Sequence, residues 1–177
     1  LWIRSGPSYR PNETFYADTP YAARQPNELT DSQGHVVEEF IDAALARGLK
    51  VYIQTGGATP PGLREEDFPR LPNGQLPDRM AETGSVASDA IRAYNRAYVR
   101  DLFGKYPKIT GFRPDWPEYP CYTLGEVFAD FGEHVAKWAV SRDFDFESIH
   151  FKAEKFWNLL HGKSSFRCLS TSDFERN

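Results

Sequence analysis

The chain has 177 residues, with 21 Lys+Arg against 25 Asp+Glu and a net charge of −4. That length suits one domain with a sizeable core, and 40% hydrophobic residues with so small a net charge exclude a disordered chain. The mild acidity and scattered Lys and Arg argue against a nucleic-acid partner, and no apolar run approaches the roughly 18 residues of a membrane-spanning helix.

Leu1-Trp2-Ile3-Arg4 reads as a first strand, stopped by Ser5-Gly6-Pro7. The chain opens on Leu rather than Met and has no signal-peptide pattern, so it reads as a piece of a longer protein whose start says nothing of localisation. A helix follows in which Val36, Val37, Phe40, Ile41, Ala44 and Leu45 share one face, with Asp31 or Ser32 as its cap and Gly48 as a left-handed stop. Val51-Tyr52-Ile53-Gln54-Thr55 is a second strand, ended by Gly56-Gly57. A second helix is expected from about Ser85 to Phe103, with Ala90, Ile91, Tyr94, Tyr98 and Leu102 as its buried stripe. Ile109 to Arg113 is a third strand, ended by Pro114. A third helix is expected from near Thr123, carrying Leu124, Val127, Phe128, Phe131, Val135 and Trp138, and a fourth over Ile149 to Leu160. The first two strands lack clean alternation, which suits burial on both faces.

Strands alternating with helices imply a parallel sheet. Helix-to-strand connections are short, Arg47 to Lys50 and Gly104 to Lys108, whereas strand-to-helix connections are long, Ser5 to about Ser32 and Gly56 to about Gly84. Long loops in compact domains are usually functional, and both leave the carboxyl ends of strands, where parallel α/β folds place their sites. No glycine-rich phosphate cradle follows any strand. The expected fold is therefore α/β, a partial TIM (β/α) barrel with parallel strands and alternating helices. It would occupy residues 1–142, with 143–177 a C-terminal helix and polar tail continuing the same domain. A full barrel takes about 250 residues, so the remainder is expected from further C-terminal sequence or another chain.

The densest chemistry is Phe112-Arg113-Pro114-Asp115-Trp116-Pro117-Glu118-Tyr119-Pro120-Cys121-Tyr122, directly after the third strand. Its prolines lower the entropy of holding Asp115, Trp116 and Glu118 in place. Carboxylates beside aromatic faces suit a sugar site, Asp115 and Glu118 serving as acid, base or nucleophile and Trp116 and Tyr119 stacking on the ring. The competing reading is a stiff loop whose acids cap the next helix and whose aromatics seal the rim. Glycosidases need two carboxyls, about 5–5.5 Å apart for retention or about 6.5–9.5 Å for inversion; one partner is also expected on a later strand. Arg4, Gln54 and Arg113 end the three strands, either to bind substrate or to brace the rim in a buried ion pair.

Other residues point to packing. His35 reads as a first-turn helix residue and His134 as a solvated face; with His150 and His161 they lack ligand-spaced partners, so a zinc site has little support. Cys121 and Cys168 form no disulfide framework, and Cys121 reads as a buried thiol. Tyr16 and Tyr21 read as loop packing. No cofactor is expected.

"HVVEEFIDAALARGLKVYIQ" (35–54), "LPNG" (71–74), "GSVASDAIRAYNRAYVRDLFGKY" (84–106) and "RPDWPEYPCY" (113–122) resemble the N-terminal portion of uncharacterised bacterial glycoside hydrolase-like (β/α)8 barrels over roughly residues 1–140. The resemblance implies a sugar-cleaving barrel with acids at strand ends, Asp115 and Glu118 among them, and a carbohydrate substrate. A Cys-x-x-Cys found in some relatives after the acidic loop is absent, Gly125 and Glu126 standing there instead, and nothing after Arg142 matches. Two other classes stay open: a non-catalytic carbohydrate-binding barrel that depends on Trp116, and a metal-dependent or lyase-type α/β enzyme using Arg113 with Asp115.

Overall fold

The computed structural model describes residues 9–26, 28–55, 60–77, 84–114 and 129–161. The expected first strand at Leu1–Arg4 lies outside them. In chain order the elements are a 3-10 turn at Glu13–Tyr16, helices α1 (Thr30–Gln33) and α2 (His35–Leu45), strand β1 (Tyr52–Thr55), a 3-10 turn at Glu65–Asp67, helix α3 (Asp89–Lys105), strand β2 (Gly111–Pro114), and helices α4 (Glu133–Val140) and α5 (Phe146–His161). The chain is thus mixed α/β, and β1 and β2 form a two-stranded parallel sheet. A parallel pair needs a crossover, which α3 supplies.

The register pairs Tyr52 with Gly111, Ile53 with Phe112, Gln54 with Arg113 and Thr55 with Pro114. Thr110 extends the ladder: its N–H donates to the Val51 carbonyl at 2.7 Å, and its hydroxyl accepts from Val51 N–H at 3.1 Å. Strand side chains alternate between faces. Val51 and Ile53 are buried in one cluster with Tyr9, Ile41, Leu102, Tyr106 and Ile109, and Phe112 packs against it. Tyr52, on the opposite face, is 50% exposed. The expectation that β1 is covered on both faces is therefore corrected. The missing alternation in sequence reflects one aromatic, Tyr52, set on a face that leaves it half exposed.

Helix α2 ends as expected, with Gly48 at φ +72°, a conformation that glycine adopts without a Cβ penalty. Its start is different. Asp31 and Ser32 lie inside the single turn α1, and Gly34 precedes α2 with no side-chain cap. Asp31 is instead gripped by Arg10, whose Nε and Nη2 donate to its two oxygens at 2.8 and 2.5 Å; a bidentate guanidinium outcompetes a capping bond. Ile41 is buried and Val37, Ala44 and Leu45 pack against its cluster, but Val36 and Phe40 are exposed.

Helix α3 begins at Asp89, later than the expected Ser85, and keeps the expected stripe with Ala90 only partly buried. Ser88 caps it, its Oγ accepting from Ile91 N–H at 3.4 Å. Ile91, Tyr94, Tyr98 and Leu102 are all buried. Leu102 joins the sheet cluster, while Ile91, Tyr94, Ala97 and Tyr98 form a second cluster with Tyr16, Tyr21 and Ala23, so one helix carries both cores. Tyr94 is 1% exposed, with its ring centroid 5.5 Å from that of Tyr16 and 6.1 Å from that of Tyr21. Tyr94→Ala is expected to destabilise the chain by about 3 kcal/mol or more through the cavity it leaves, and Tyr94→Phe by about 1 kcal/mol, both read from urea unfolding.

The third expected helix is corrected. Thr123, Leu124, Val127 and Phe128 lie outside the described residues, and the helix that carries Val135 and Trp138 begins only at Glu133. Asp130 Oδ1 accepts from Gly132 N–H at 2.6 Å and from Arg70 N–H at 2.9 Å, and Phe131 N–H donates to the Arg70 carbonyl at 2.7 Å. These bonds engage the backbone that a continuous helix would need. Trp138 is exposed and stacks on Phe144, while Phe131 packs on Phe146 and His150. Helix α5 starts three residues before the expected Ile149, at Phe146, where Asp145 Oδ1 accepts from Ser148 N–H at 3.0 Å. Trp157 is its buried anchor, while Phe156 stays on the surface.

Asp101 ties α3 to the first loop. It is 3% exposed and accepts from Asn12 N–H at 3.0 Å and Tyr16 Oη at 3.3 Å. Burial pushes its carboxyl above the ordinary value, against the hydrogen bonds that lower it. A carboxyl raised on folding holds its proton more tightly in the native state, so it favours folding at low pH and that contribution is lost as pH rises through the raised value. Asp101→Asn is expected to remove this component, flattening the pH dependence of the melting temperature just above the ordinary carboxylate range.

Candidate functional site

Two polar groupings stand in the described residues. The first is the open face of the sheet. Because Ile53 and Phe112 pair on the core side, Tyr52, Gln54, Gly111 and Arg113 share the other. A Cβ on Gly111 would lie 3.1 Å from the Tyr52 ring, which confirms that these two positions face the same way. Gln54 and Arg113, both expected as site residues, are register partners; Gln54 is half-buried and Arg113 exposed. The buried ion pair weighed for Arg113 does not fit that exposure. Arg4, Asp115, Trp116, Glu118 and Tyr119, together with Cys121 and Tyr122, lie outside the described residues.

The second grouping was not expected from sequence. Asp67, in the connection that leaves the carboxyl end of β1, is fully buried and is the hub of a polar cluster. Its Oδ2 accepts from the Tyr21 hydroxyl and from Arg64 Nε and Nη2 at 2.8 and 2.7 Å. Its Oδ1 accepts from the Ser88 hydroxyl and lies 3.2 Å from His134 Nε2. Its own carbonyl accepts from Ser85 N–H at 2.7 Å. Burial alone would raise the Asp67 carboxyl, but the bonds from Ser88, Tyr21 and Arg64, together with the Arg64 charge, hold it below its ordinary value. The Tyr21 hydroxyl is pushed up by burial and by its bond to Asp67.

The cluster collects four stretches of chain. Tyr21 comes from the segment before α1, Arg64 and Asp67 from the loop after β1, Ser88 from the start of α3, and His134 from the first turn of α4. The same loop after β1 is held again at Arg70, by Asp130 and Phe131. It is held a third time at Pro72, whose carbonyl lies 2.7 Å from His150 Nε2 while the His150 ring stacks on Phe131 at 5.2 Å. The reading of His134 as a solvated residue is corrected: its side chain is 28% exposed and its Nε2 stands 3.2 Å from the buried Asp67 carboxylate. Its helix shows only a surface-like pattern in sequence, because the partner lies in a distant loop. His35 is a first-turn residue, as expected. Tyr16 and Tyr21 are buried packing residues, as expected, but Tyr21 is also a donor to Asp67.

Arg64 and Asp67 carried one signal in sequence, an oppositely charged pair three apart on a short turn between Pro61-Gly62 and Phe68-Pro69. That pattern more often marks a solvated turn, and nothing local reveals that Asp67 is buried. Chemically, the cluster offers a desolvated carboxylate with its donors fixed and an imidazole beside it. Among the described residues no three His, Cys, Asp or Glu side chains group to hold a metal ion, and no helix is long and apolar enough to cross a membrane.

Comparisons of this chain with family models, with curated proteins and with solved structures return no match.

Proposed function

We propose that the chain is the first part of a (β/α) barrel that hydrolyses glycosidic bonds, with the open face of its sheet turned to the barrel mouth. The observation that carries this reading is the pairing of Gln54 with Arg113 on the sheet face away from α2 and α3. Polar side chains near the ends of adjacent parallel strands, on the face away from α2 and α3, suit the binding of sugar hydroxyls. Asp115 is the next residue of the same parity after Arg113, and Glu118 follows in the same proline-stiffened turn.

In this reading one of the two carboxyls protonates the leaving oxygen while a second carboxylate attacks the anomeric carbon or activates water. Trp116 and Tyr119 present aromatic faces to the ring, and Gln54 and Arg113 hold its hydroxyls. Support also comes from the loops: the connection after β1 is pinned at Asp67, Arg70 and Pro72, which gives a binding rim the rigidity that positioning requires. The test is hydrolysis of a panel of oligosaccharides and aryl glycosides by the complete protein, with Asp115→Asn and Glu118→Gln beside the wild type. Activity lost in at least one variant supports the reading. Wild-type rates in both, or no hydrolysis of any member by the wild type, overturns it.

A further inference from the structure

Helix α4 ends in a turn that fixes two aromatic rings at the surface. Phe144 N–H donates to the Ala139 carbonyl and Asp143 N–H to the Val140 carbonyl, both at 3.1 Å, the paired bonds of a Schellman stop. The left-handed position falls to Asp143, at φ +60°, where a glycine is usual and an Asp is tolerated. Ser141 Oγ ties the same turn by donating to the Trp138 carbonyl at 2.7 Å. The stop folds Phe144 back beside Trp138, where such turns commonly set an apolar contact. Two aliphatic side chains would make that contact. Here both partners are aromatic, their planes lie 9° apart, and their centroids stand 6.1 Å apart. That is the spacing of an offset pair, in which each ring covers only part of the other. Trp138 accordingly stays 42% exposed and Phe144 51%. The Arg142 guanidinium lies over the Trp138 ring, 4.3 Å from its centroid. Among the described residues it bonds only the neighbouring Ser141 hydroxyl and pairs with no acid. The three side chains take no part in the Asp67 cluster or the Gln54–Arg113 register pair.

We propose that Trp138, Phe144 and Arg142 form a carbohydrate-binding platform that holds a neutral polysaccharide at the surface, in addition to the residues that cleave it. The sugar as occupant rests on the glycosidase reading; the geometry of the platform does not. The C–H bonds on the flat face of a pyranose meet the negative face of an aromatic ring, and two near-parallel rings suit neighbouring sugars of one chain. The guanidinium adds hydrogen-bond donors for hydroxyls. A ring face needs no enclosing hollow, and rings already packed on each other by a backbone turn lose little freedom on binding. An enzyme of a long polymer gains from such a surface, because a chain held at one place is concentrated at a second site on the same molecule.

Trp138→Leu combined with Phe144→Leu separates stacking from capping, since leucines keep an apolar contact across the turn but present no ring. Binding of the complete protein to soluble arabinoxylan, glucomannan, β-glucan and amylose would be followed by affinity electrophoresis, with hydrolysis of aryl glycosides measured alongside. The expected result is retardation of the wild type by at least one polysaccharide, with affinity for it weakened about tenfold in the double variant. Arg142→Gln should weaken it about threefold. The rate on aryl glycosides should stay at the wild-type value in all variants, and a soluble oligosaccharide of the same sugar should release the bound polysaccharide. Without any substitution, the Trp138 indole N–H resonance should shift on titration with that oligosaccharide. Binding undiminished in the double variant, an indole resonance that does not move, or a wild type that cleaves aryl glycosides but binds no polysaccharide overturns this proposal and leaves the glycosidase reading intact. A polysaccharide held through the two rings with no glycan cleaved overturns that reading alone. A wild type that neither binds nor cleaves overturns both.

Discussion

On the proposed glycosidase reading, Asp115→Asn in the complete protein is expected to lower hydrolysis of a glycan by about 10²- to 10⁴-fold, the usual contribution of a positioned acid, base or nucleophile. Glu118→Gln should do the same if it is the partner, and the pattern across leaving groups assigns the roles. An aryl glycoside with a strongly acidic phenol as leaving group needs no protonation. The variant that lacks the general acid should therefore recover most of its rate on that substrate, while a variant lacking the nucleophile or base stays slow on every substrate. If only one of the two carboxyls matters, its partner comes from a later strand, as the usual geometry of such sites implies. Stereochemistry follows independently: product anomers observed by NMR during the first turnover report retention or inversion, and hence the spacing of the pair.

Replacing Asp67 by Ala is expected to destabilise the chain by about 3–5 kcal/mol. The carboxylate is fully buried and its loss strands the buried hydroxyls of Tyr21 and Ser88, each worth roughly 1–3 kcal/mol when left unmade. Arg64 is exposed enough to return to water, so its charge adds little. Asp67→Asn keeps one acceptor oxygen, and a smaller loss of about 2 kcal/mol is expected from the hydrogen bonds to a charged group that it gives up. The pH dependence has the opposite sign to that of Asp101. The Asp67 carboxyl is held below its ordinary value, so the unfolded chain takes up its proton first as pH falls. Its contribution is complete above the ordinary carboxylate value and disappears as pH falls through the lowered one. Urea unfolding at neutral and acid pH, compared between wild type and Asp67→Asn, should show the difference shrinking toward low pH. A midpoint unmoved by Asp67→Ala at neutral pH would mean the cluster does not hold the loop.

Local chemistry made much of the architecture legible. The stripe from Ile91 to Leu102 could be read as one buried helical face because the apolar positions recur at helical spacing, and all four of its large members are buried. Gly48 marked a helix end because its position called for a left-handed residue, and the two strands stand within one or two residues of where β-branched and aromatic residues predicted them. The errors have a common physical origin. Asp31 was read as a cap because its helix lay beside it in sequence, whereas Arg10 holds it from outside that segment. The third helix was drawn across Asp130 and Gly132 because their neighbours are apolar, whereas the Asp130 carboxylate takes up the Gly132 N–H and the Arg70 carbonyl the Phe131 N–H.

The sequence by itself determined the alternation of elements, the faces of α2 and α3 that carry apolar residues, and the concentration of irregular chain after the strands, since each depends on spacing within a few residues. Only the tertiary structure decided that Gln54 and Arg113 are neighbours, that Tyr52 stands on an open face, and that Tyr21, Arg64, Ser88 and His134 converge on Asp67. The reason is range. Periodicity and turn chemistry act along the chain, but whether a carboxylate is buried, and which donors satisfy it, depends on which distant segments exclude water around it.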